Sequence, residues 1–202
     1  PVVFHNGNAA DDGNRTQALD ALVQAMEPGD TVGVVLHSLA FGTLRPYFGE
    51  QTIGRRHMEM TLDVMAHSLV YWAQDLVKRG LVTHGARIYA MTSSGSLACW
   101  PSYGAVSAAK CALESHIRQL AVELAPKGIT ANAIMAGVTP TPALSKIPGA
   151  DAIADTALSR NPSGRLTTVD DVAACIVALS GPGTQWMTGN VIRVDGGETV
   201  SG

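Results

Sequence analysis

The chain has 202 residues and a mass of 21.0 kDa, enough for one domain with a buried core. Its 46% apolar and 15% charged residues are those of a globular protein, which excludes collagenous and disordered classes. A net charge of −3 gives no electrostatic pull toward nucleic acid or anionic lipid, so neither is expected as a partner.

Residues 2–5 are a short apolar run before Asn6, Gly7 and Asn8, which predicts a strand followed by a turn. The opening PVVFHNGN lacks the basic-then-apolar order of a signal peptide. Ala18, Leu22 and Met26, with Leu19 and Val23 alongside, predict a helix over 15–26 that Pro28, Gly29 and Asp30 stop. The nearly unbroken apolar run TVGVVL, 31–36, predicts a strand covered on both faces of a parallel sheet. Leu62, Met65, Leu69, Trp72, Ala73 and Leu76 share one face of a helix over 62–77, and Lys78, Arg79 and Gly80 suit its end.

Residues 86–91 (ARIYAM) predict the next strand, followed by the loop TSSGS. Leu113, Ile117, Leu120 and Leu124 mark an amphipathic helix over 107–124, ended by Pro126, Lys127 and Gly128. A strand over 129–135 follows. Thr168, Val169, Asp170 and Asp171 resemble a capping box opening a helix with Val172, Ile176 and Leu179 inward. Residues 191–194 predict a last strand, closed by Asp195, Gly196 and Gly197. This alternation argues a parallel α/β sheet with right-handed crossovers, in a single domain over 1–202.

Cys99, Cys111 and Cys175 are odd in number and far apart, fitting neither a disulfide framework nor a zinc site, so a reducing cytoplasm is the expected home. No apolar run approaches the ~20 residues a membrane span needs. His5, His57, His67, His84 and His116 show no paired metal spacing and read as structural or solvent-facing, so no metal is expected. Cys99 reads as a small core or pocket residue in preference to a nucleophile. Arg55, Arg56 and His57 read as a solvated face, with an acidic carrier protein as the alternative.

Ligands of an open parallel sheet bind beyond the carboxyl ends of its strands. Four polar or glycine-rich segments fall there: 6–9, 37–40, 92–96 and 136–141 (AGVTPT). Tyr103 and Lys110 stand seven positions apart, and about 700° of helical rotation returns the lysine to nearly the same face. With the tyrosine at the helix entrance, both could face one cleft. A nearby ammonium would then lower the phenol's pKa from about 10 and make it a better donor to an oxyanion. The plain alternative is a surface lysine beside a packing tyrosine.

The order SSGSLACWPSYGAVSAAKCALESHIRQLAVELAPKGITANAIMAGVTPT, then RVDGG, resembles the short-chain dehydrogenase/reductase family across most of the chain. Ordinary members carry tyrosine four residues before the lysine, where Val106 stands here. Tyrosine seven before the lysine, with HSLAFG after the central strand, resembles the enoyl-acyl-carrier-protein reductase branch. The resemblance implies a Rossmann-type domain with helices on both faces. It implies reduction of a trans-2-enoyl thioester, on acyl carrier protein or CoA, by NADPH or NADH in fatty-acid synthesis. Tyr103 would hydrogen-bond the thioester carbonyl, and Lys110 would hold the nicotinamide ribose. The cofactor's other contacts would be Asn8 and Ala9 by the adenine and His37, Ser38 and Leu39 along its ribose side. Ser93 or Ser94 would lie by the nicotinamide, with Ala136, Gly137, Thr139 and Thr141 at the carboxamide and pyrophosphate. Residues 143–153 would belong to a mobile substrate lid. A homotetramer or homodimer packed through the outer faces of helices 62–77 and 107–124 is also implied.

Two departures from the family stand out. No second tyrosine lies between Tyr89 and Tyr103, where Cys99 and Trp100 occupy the stretch that lines the acyl pocket in many enoyl reductases. The family's first strand, glycine-rich turn and following helix are also absent. Gly7 and Gly13 lack the spacing that lets amides approach a pyrophosphate. Matched to the family, the chain begins at the third strand, two βα units or roughly 60 residues in, and reads as part of a longer protein. The alternatives are a 3-ketoacyl or carbonyl reductase of the same superfamily, and a non-catalytic reductase-like binding or oligomerisation protein.

Overall fold

The computed structural model describes residues 2–201. Four strands, β1 (Val34–His37), β2 (Arg87–Ser93), β3 (Thr130–Ala136) and β4 (Val191–Val194), pair in that order, every neighbour parallel. Parallel neighbours need crossovers, and helices supply them. After α1 (Asp12–Ala25) and β1, helix α2 (Arg55–Leu62) runs through a π-helical turn (Asp63–His67) into α3 (Ser68–Lys78). Helix α4 (Gly104–Leu124) joins β2 to β3, and α5 (Ala150–Arg160) and α6 (Val169–Ser180) lie between β3 and β4. The expected Rossmann-type α/β arrangement is present, with helices on both faces.

The two-residue period of β2 divides its side chains between those faces. Ile88 and Ala90 turn to one side, where with Ala131 and Ala133 of β3 they meet Leu69, Ala73 and Leu76 of α3 and Leu113 and Ile117 of α4. Alanines at three of these strand positions let the helices sit close. Each buried leucine or isoleucine contributes about 1.5–3 kcal/mol there. Arg87 and Tyr89 turn to the other side, and the buried Tyr89 hydroxyl donates to the Leu179 carbonyl of α6 at 2.7 Å. The capping box opens α6 as expected: Thr168 Oγ1 accepts from the Asp171 amide, and the Asp171 carboxylate accepts from the Thr168 amide at 2.9 Å. Val172, Ile176 and Leu179 are half-buried on its inner side.

Several expectations need correction. Residues 2–5 are not a strand; Val2 and Phe4 are exposed, and no strand lies beside them among the described residues to take their hydrogen bonds. Strand β1 is shorter than 31–36 and is covered on one face only, since Val35 joins the core while Val34 and Leu36 are exposed. Helix α1 begins at Asp12, because the Asp11 carboxylate caps it by accepting from the Asn14 amide at 2.8 Å. The helix expected over 62–77 starts at Arg55, and its π turn forms where Ser68 Oγ donates to the Val64 carbonyl at 2.7 Å. Within residues 143–153, the expected lid segment, a short 3₁₀ turn (Leu144–Lys146) precedes the start of α5.

Among the described residues no helix is long and apolar enough to cross a membrane. No three histidine, cysteine or acidic side chains gather in metal-binding geometry among them either.

Candidate active site

All four strands point one way, so the segments after β1, β2 and β3 meet at a single edge. There they enclose a cavity of about 500 Å³. Of the residues singled out from the sequence, Ser38, Leu39, Ser93, Tyr103, Lys110, Ala136, Gly137, Thr139 and Thr141 line it. The π turn adds Met65 to its wall, and the segment before α5 adds Ala143, Leu144, Lys146 and Ile147.

Tyr103 is the N-cap residue of α4, so its ring leaves the helix at the entrance while Lys110 follows two turns on. Ser102, at φ 63°, supplies the left-handed turn that admits this geometry. The Tyr103 ring packs onto Gly95, where an added Cβ would lie 2.5 Å from ring carbon Cε1 and 3.1 Å from Ser93 Oγ. Gly95→Ala is therefore expected to cost about 1–3 kcal/mol of stability through overpacking, read as a lowered urea midpoint. An unchanged midpoint would mean that the ring is not seated on Gly95.

Tyr103 does not have the lowered pKa that the sequence suggests. Burial pushes the phenol above 10, and the Ser93 hydroxyl only partly offsets this. Lys110 has other partners. Its ammonium donates to the Met91 carbonyl at 2.7 Å and the Leu39 carbonyl at 3.4 Å, and it is buried. Burial lowers its pKa from 10.5 to about 8, against the opposing pull of the Glu114 carboxylate. At neutral pH the cavity thus holds a protonated phenol and a charged ammonium.

His37 lies behind the wall instead of in it. Ser68 Oγ spends its proton on Val64, so His37 Nε2, 2.8 Å away, is the donor to that oxygen. Nδ1 then carries the lone pair and is buried without a partner. Burial, and next the charge of Lys110, lower the His37 pKa to about 4, so the ring is neutral at neutral pH.

Val106 is no vacant catalytic position. It is buried with Met65 and Ala109 in a small apolar cluster that Tyr103 and Leu44 complete. A Cβ on Gly42 would come within 2.8 Å of Val106 Cγ2 and Met65 Sδ. A phenol at 106 would meet that packed wall.

Other residues from the sequence lie elsewhere. Asn8 and Ala9 are not in the cavity: the Ala9 carbonyl accepts from Trp72 Nε1 at 2.9 Å, and Asn8 Oδ1 accepts from the Ala10 amide at 3.0 Å. Arg15 pins the same segment by donating to the Ala10 carbonyl at 3.0 Å and to Asp75 of α3 at 3.0 Å. Ser94 opens on a neighbouring cavity of about 490 Å³ with Cys99, Trp100, Ile153, Arg160 and Glu198. Cys99 is exposed there. His67 and His116 bond one another, Nδ1 to Nε2, at 2.9 Å. Met65, Gly42, Gly95 and Glu114 gave no functional signal in the sequence; only the TSSGS and HSLAFG loops pointed near them.

Residues 2–199 match the protein family described as enoyl-(acyl carrier protein) reductase. The chain is 33% identical over 150 residues to 1-cyclohexenylcarbonyl-CoA reductase of Streptomyces collinus, covering 73% of this chain and 53% of that one. It is 29% identical over 173 residues to the NADH-dependent enoyl-[acyl-carrier-protein] reductase FabI of Aquifex aeolicus, covering 85% of this chain and 64% of the relative. The chain thus spans between half and two thirds of the length of these two relatives. The crystal structure of the Aquifex aeolicus enoyl-[acyl-carrier-protein] reductase (NADH) superposes with a TM-score of 0.86 at 26% identity, over 96% of this chain and 74% of that one. The Anaplasma phagocytophilum enzyme, solved in complex with NAD, gives 0.82 at 25%, over 96% and 70%.

Proposed function

The chain belongs to the enoyl-(acyl carrier protein) reductase family of the short-chain dehydrogenase/reductase superfamily, and from that premise we propose that it reduces the trans-2 double bond of an enoyl thioester with NADPH or NADH. The observation that carries this reading is the shared cavity of Tyr103 and Lys110, with an apolar Val106 where the superfamily's usual phenol would stand.

The residues present fit the nicotinamide-ribose end of a dinucleotide. Lys110 offers an ammonium, Ser38 and Ser93 offer hydroxyls, and Thr139 and Thr141 from the segment after β3 add two more. Gly7 and Gly13 lie by α1, away from this cavity, and hold no part of it. When bound, the dinucleotide supplies a hydride to the β-carbon. Electron density then moves onto the thioester oxygen, and a donor aimed at that oxygen lowers the barrier. Tyr103 is that donor. Its raised pKa keeps the proton on the phenol, so it hydrogen-bonds the forming enolate and does not start as a phenolate. Lys110 holds the ribose hydroxyls and adds positive field, while neutral His37 adds no competing charge. Leu144 and Ile147 add apolar side chains to the cavity wall, where they would limit water at the reacting carbons.

The carrier, acyl carrier protein or CoA, and a homotetramer or homodimer packed through α3 and α4 belong to the same proposal, as does a single domain over 1–202. The test is turnover of matched enoyl and 3-ketoacyl thioesters by the full natural chain with each dinucleotide. Oxidation of dinucleotide with the enoyl thioester alone is expected. Turnover of the 3-ketoacyl thioester alone would replace this reading with a carbonyl reductase, and failure to bind either dinucleotide would favour a non-catalytic protein.

A further inference from the structure

The mechanism above leaves the Glu114 carboxylate without a role. Glu114 stands one helical turn beyond Lys110 on α4, half-buried, and its Oε1 accepts from the buried Thr92 hydroxyl at 2.6 Å. Thr92 sits on β2 between the residue whose carbonyl takes the Lys110 ammonium and Ser93, which lies beside Tyr103. One side-chain bond therefore ties the helix that carries Tyr103 and Lys110 to the strand end against which both are set.

We propose that Glu114 is a positioning residue, which holds α4 in register on β2 through Thr92 and supplies the counter-charge for the Lys110 ammonium. This rests on the reductase reading for its consequence, since Lys110 must be charged to hold a ribose. The two roles are compatible. A helix-borne carboxylate four positions after a lysine shares its face, and the Thr92 bond stops it from swinging into solvent.

Among the described residues, Glu114 supplies the negative charge that bears on Lys110. His37 of β1 is neutral at neutral pH, and Tyr103 of α4 keeps its proton. Lys146 from the segment before α5 shares the cavity and is itself cationic, while the π turn presents the apolar Met65. Arg193 of β4 lines a neighbouring hollow with Glu114 and does not line the cavity that holds Lys110. Glu114 accordingly raises the Lys110 pKa against the larger lowering by burial.

The test reads Lys110 without substrate or dinucleotide, so it stands even if the reductase reading fails. Lysine amines of the full chain are labelled with trace acetic anhydride across a pH series, and the midpoint for each lysine is read by mass spectrometry. Lys78, Lys127 and Lys146 are internal controls. The Lys110 midpoint is expected near 8 in the unaltered protein. Glu114→Gln keeps the shape and an acceptor for Thr92 but removes the charge, and should lower that midpoint by about half a unit or more with the controls unchanged. A purely structural role predicts the opposite sign, because a loosened site admits water and moves a buried lysine back up toward 10.5. An unchanged or raised midpoint would therefore overturn the proposal. Should Glu114→Gln not fold, Thr92→Val, which frees the carboxylate without deleting it, is read by the same rule. In the same variants, dinucleotide binding should weaken more at pH 8.5 than at pH 6.5, pH values chosen on either side of the midpoint of about 8.

Discussion

Replacing Tyr103 by phenylalanine will lower turnover of an enoyl thioester by about 10²–10⁴-fold, the usual contribution of one positioned proton or hydrogen-bond donor. The ring remains seated on Gly95 and against Val106, so only the hydroxyl is lost. Dinucleotide affinity should stay within about twofold, because the proposed mechanism aims that oxygen at the thioester and not at the dinucleotide. Stopped-flow or steady-state rates, with fluorescence titration of the dinucleotide, check both halves. Unchanged turnover would remove Tyr103 from the chemistry. A matching loss of dinucleotide binding would make it a cofactor contact instead.

Lys110→Met is expected to act on both quantities. The ammonium is the buried cation at the base of the cavity, and dinucleotide affinity should fall at least about tenfold, or 1.4 kcal/mol. The Met91 and Leu39 carbonyls also lose their donor, at a cost of about 1–3 kcal/mol each where water cannot replace it. The pH dependence has a definite sign. Lys110 is charged below about pH 8 and neutral above it, so binding to the unaltered protein weakens as pH rises through 8. In Lys110→Met that alkaline limb should vanish. The variant should also raise the His37 pKa above about 4, since the cationic neighbour that helps to depress it is gone. Imidazole proton resonances followed by NMR measure that shift. Retention of the alkaline limb in the variant would assign the pH dependence to another group.

The parts of the molecule legible in the sequence were those that local pattern determines. The seven-residue interval from Tyr103 to Lys110 placed both on α4, and the alanine-rich and β-branched runs of β2 and β3 read correctly because both faces of those strands are buried. Strand identity at the sheet edge was harder, since it depends on a neighbour. Residues 2–5 have the composition of a strand and no partner beside them, and TVGVVL suggested two covered faces where β1 has one. The fate of Asn8 and Ala9 rests on Trp72 and Arg15, contacts between segments about sixty positions apart that no local pattern records.

The site shows the same division. Residue types after strands indicated which loops converge, but not which side chains within them reach the cavity. Ser93 does, while its neighbour Ser94 turns to the adjoining cavity, a difference created by the 3₁₀ turn that begins there. The expected effect of Lys110 on Tyr103 failed for a physical reason. Two groups on one helix face can share a cavity while the lysine is held by backbone carbonyls and burial dominates the phenol. Glu114 was invisible as a functional residue because its meaning comes from Thr92, on a different element. Val106, by contrast, was informative from the start: an apolar residue in place of the ordinary phenol suggested a relocated donor, and its packing against Gly42 and Met65 gives that placement a steric reason.

The proposed function requires that a dinucleotide bound in this cavity give its hydride to a carbon–carbon double bond while Tyr103 hydrogen-bonds the thioester oxygen on which charge develops. The most direct measurement uses a dinucleotide deuterated at the transferable nicotinamide position, the full natural chain and a trans-2-enoyl thioester, with the product analysed by mass spectrometry. A saturated thioester carrying a single deuterium at the β-carbon, and a solvent-derived hydrogen at the α-carbon, is the predicted result. An untouched enoyl thioester, under conditions where a 3-ketoacyl thioester gains deuterium at its carbonyl carbon, would contradict it.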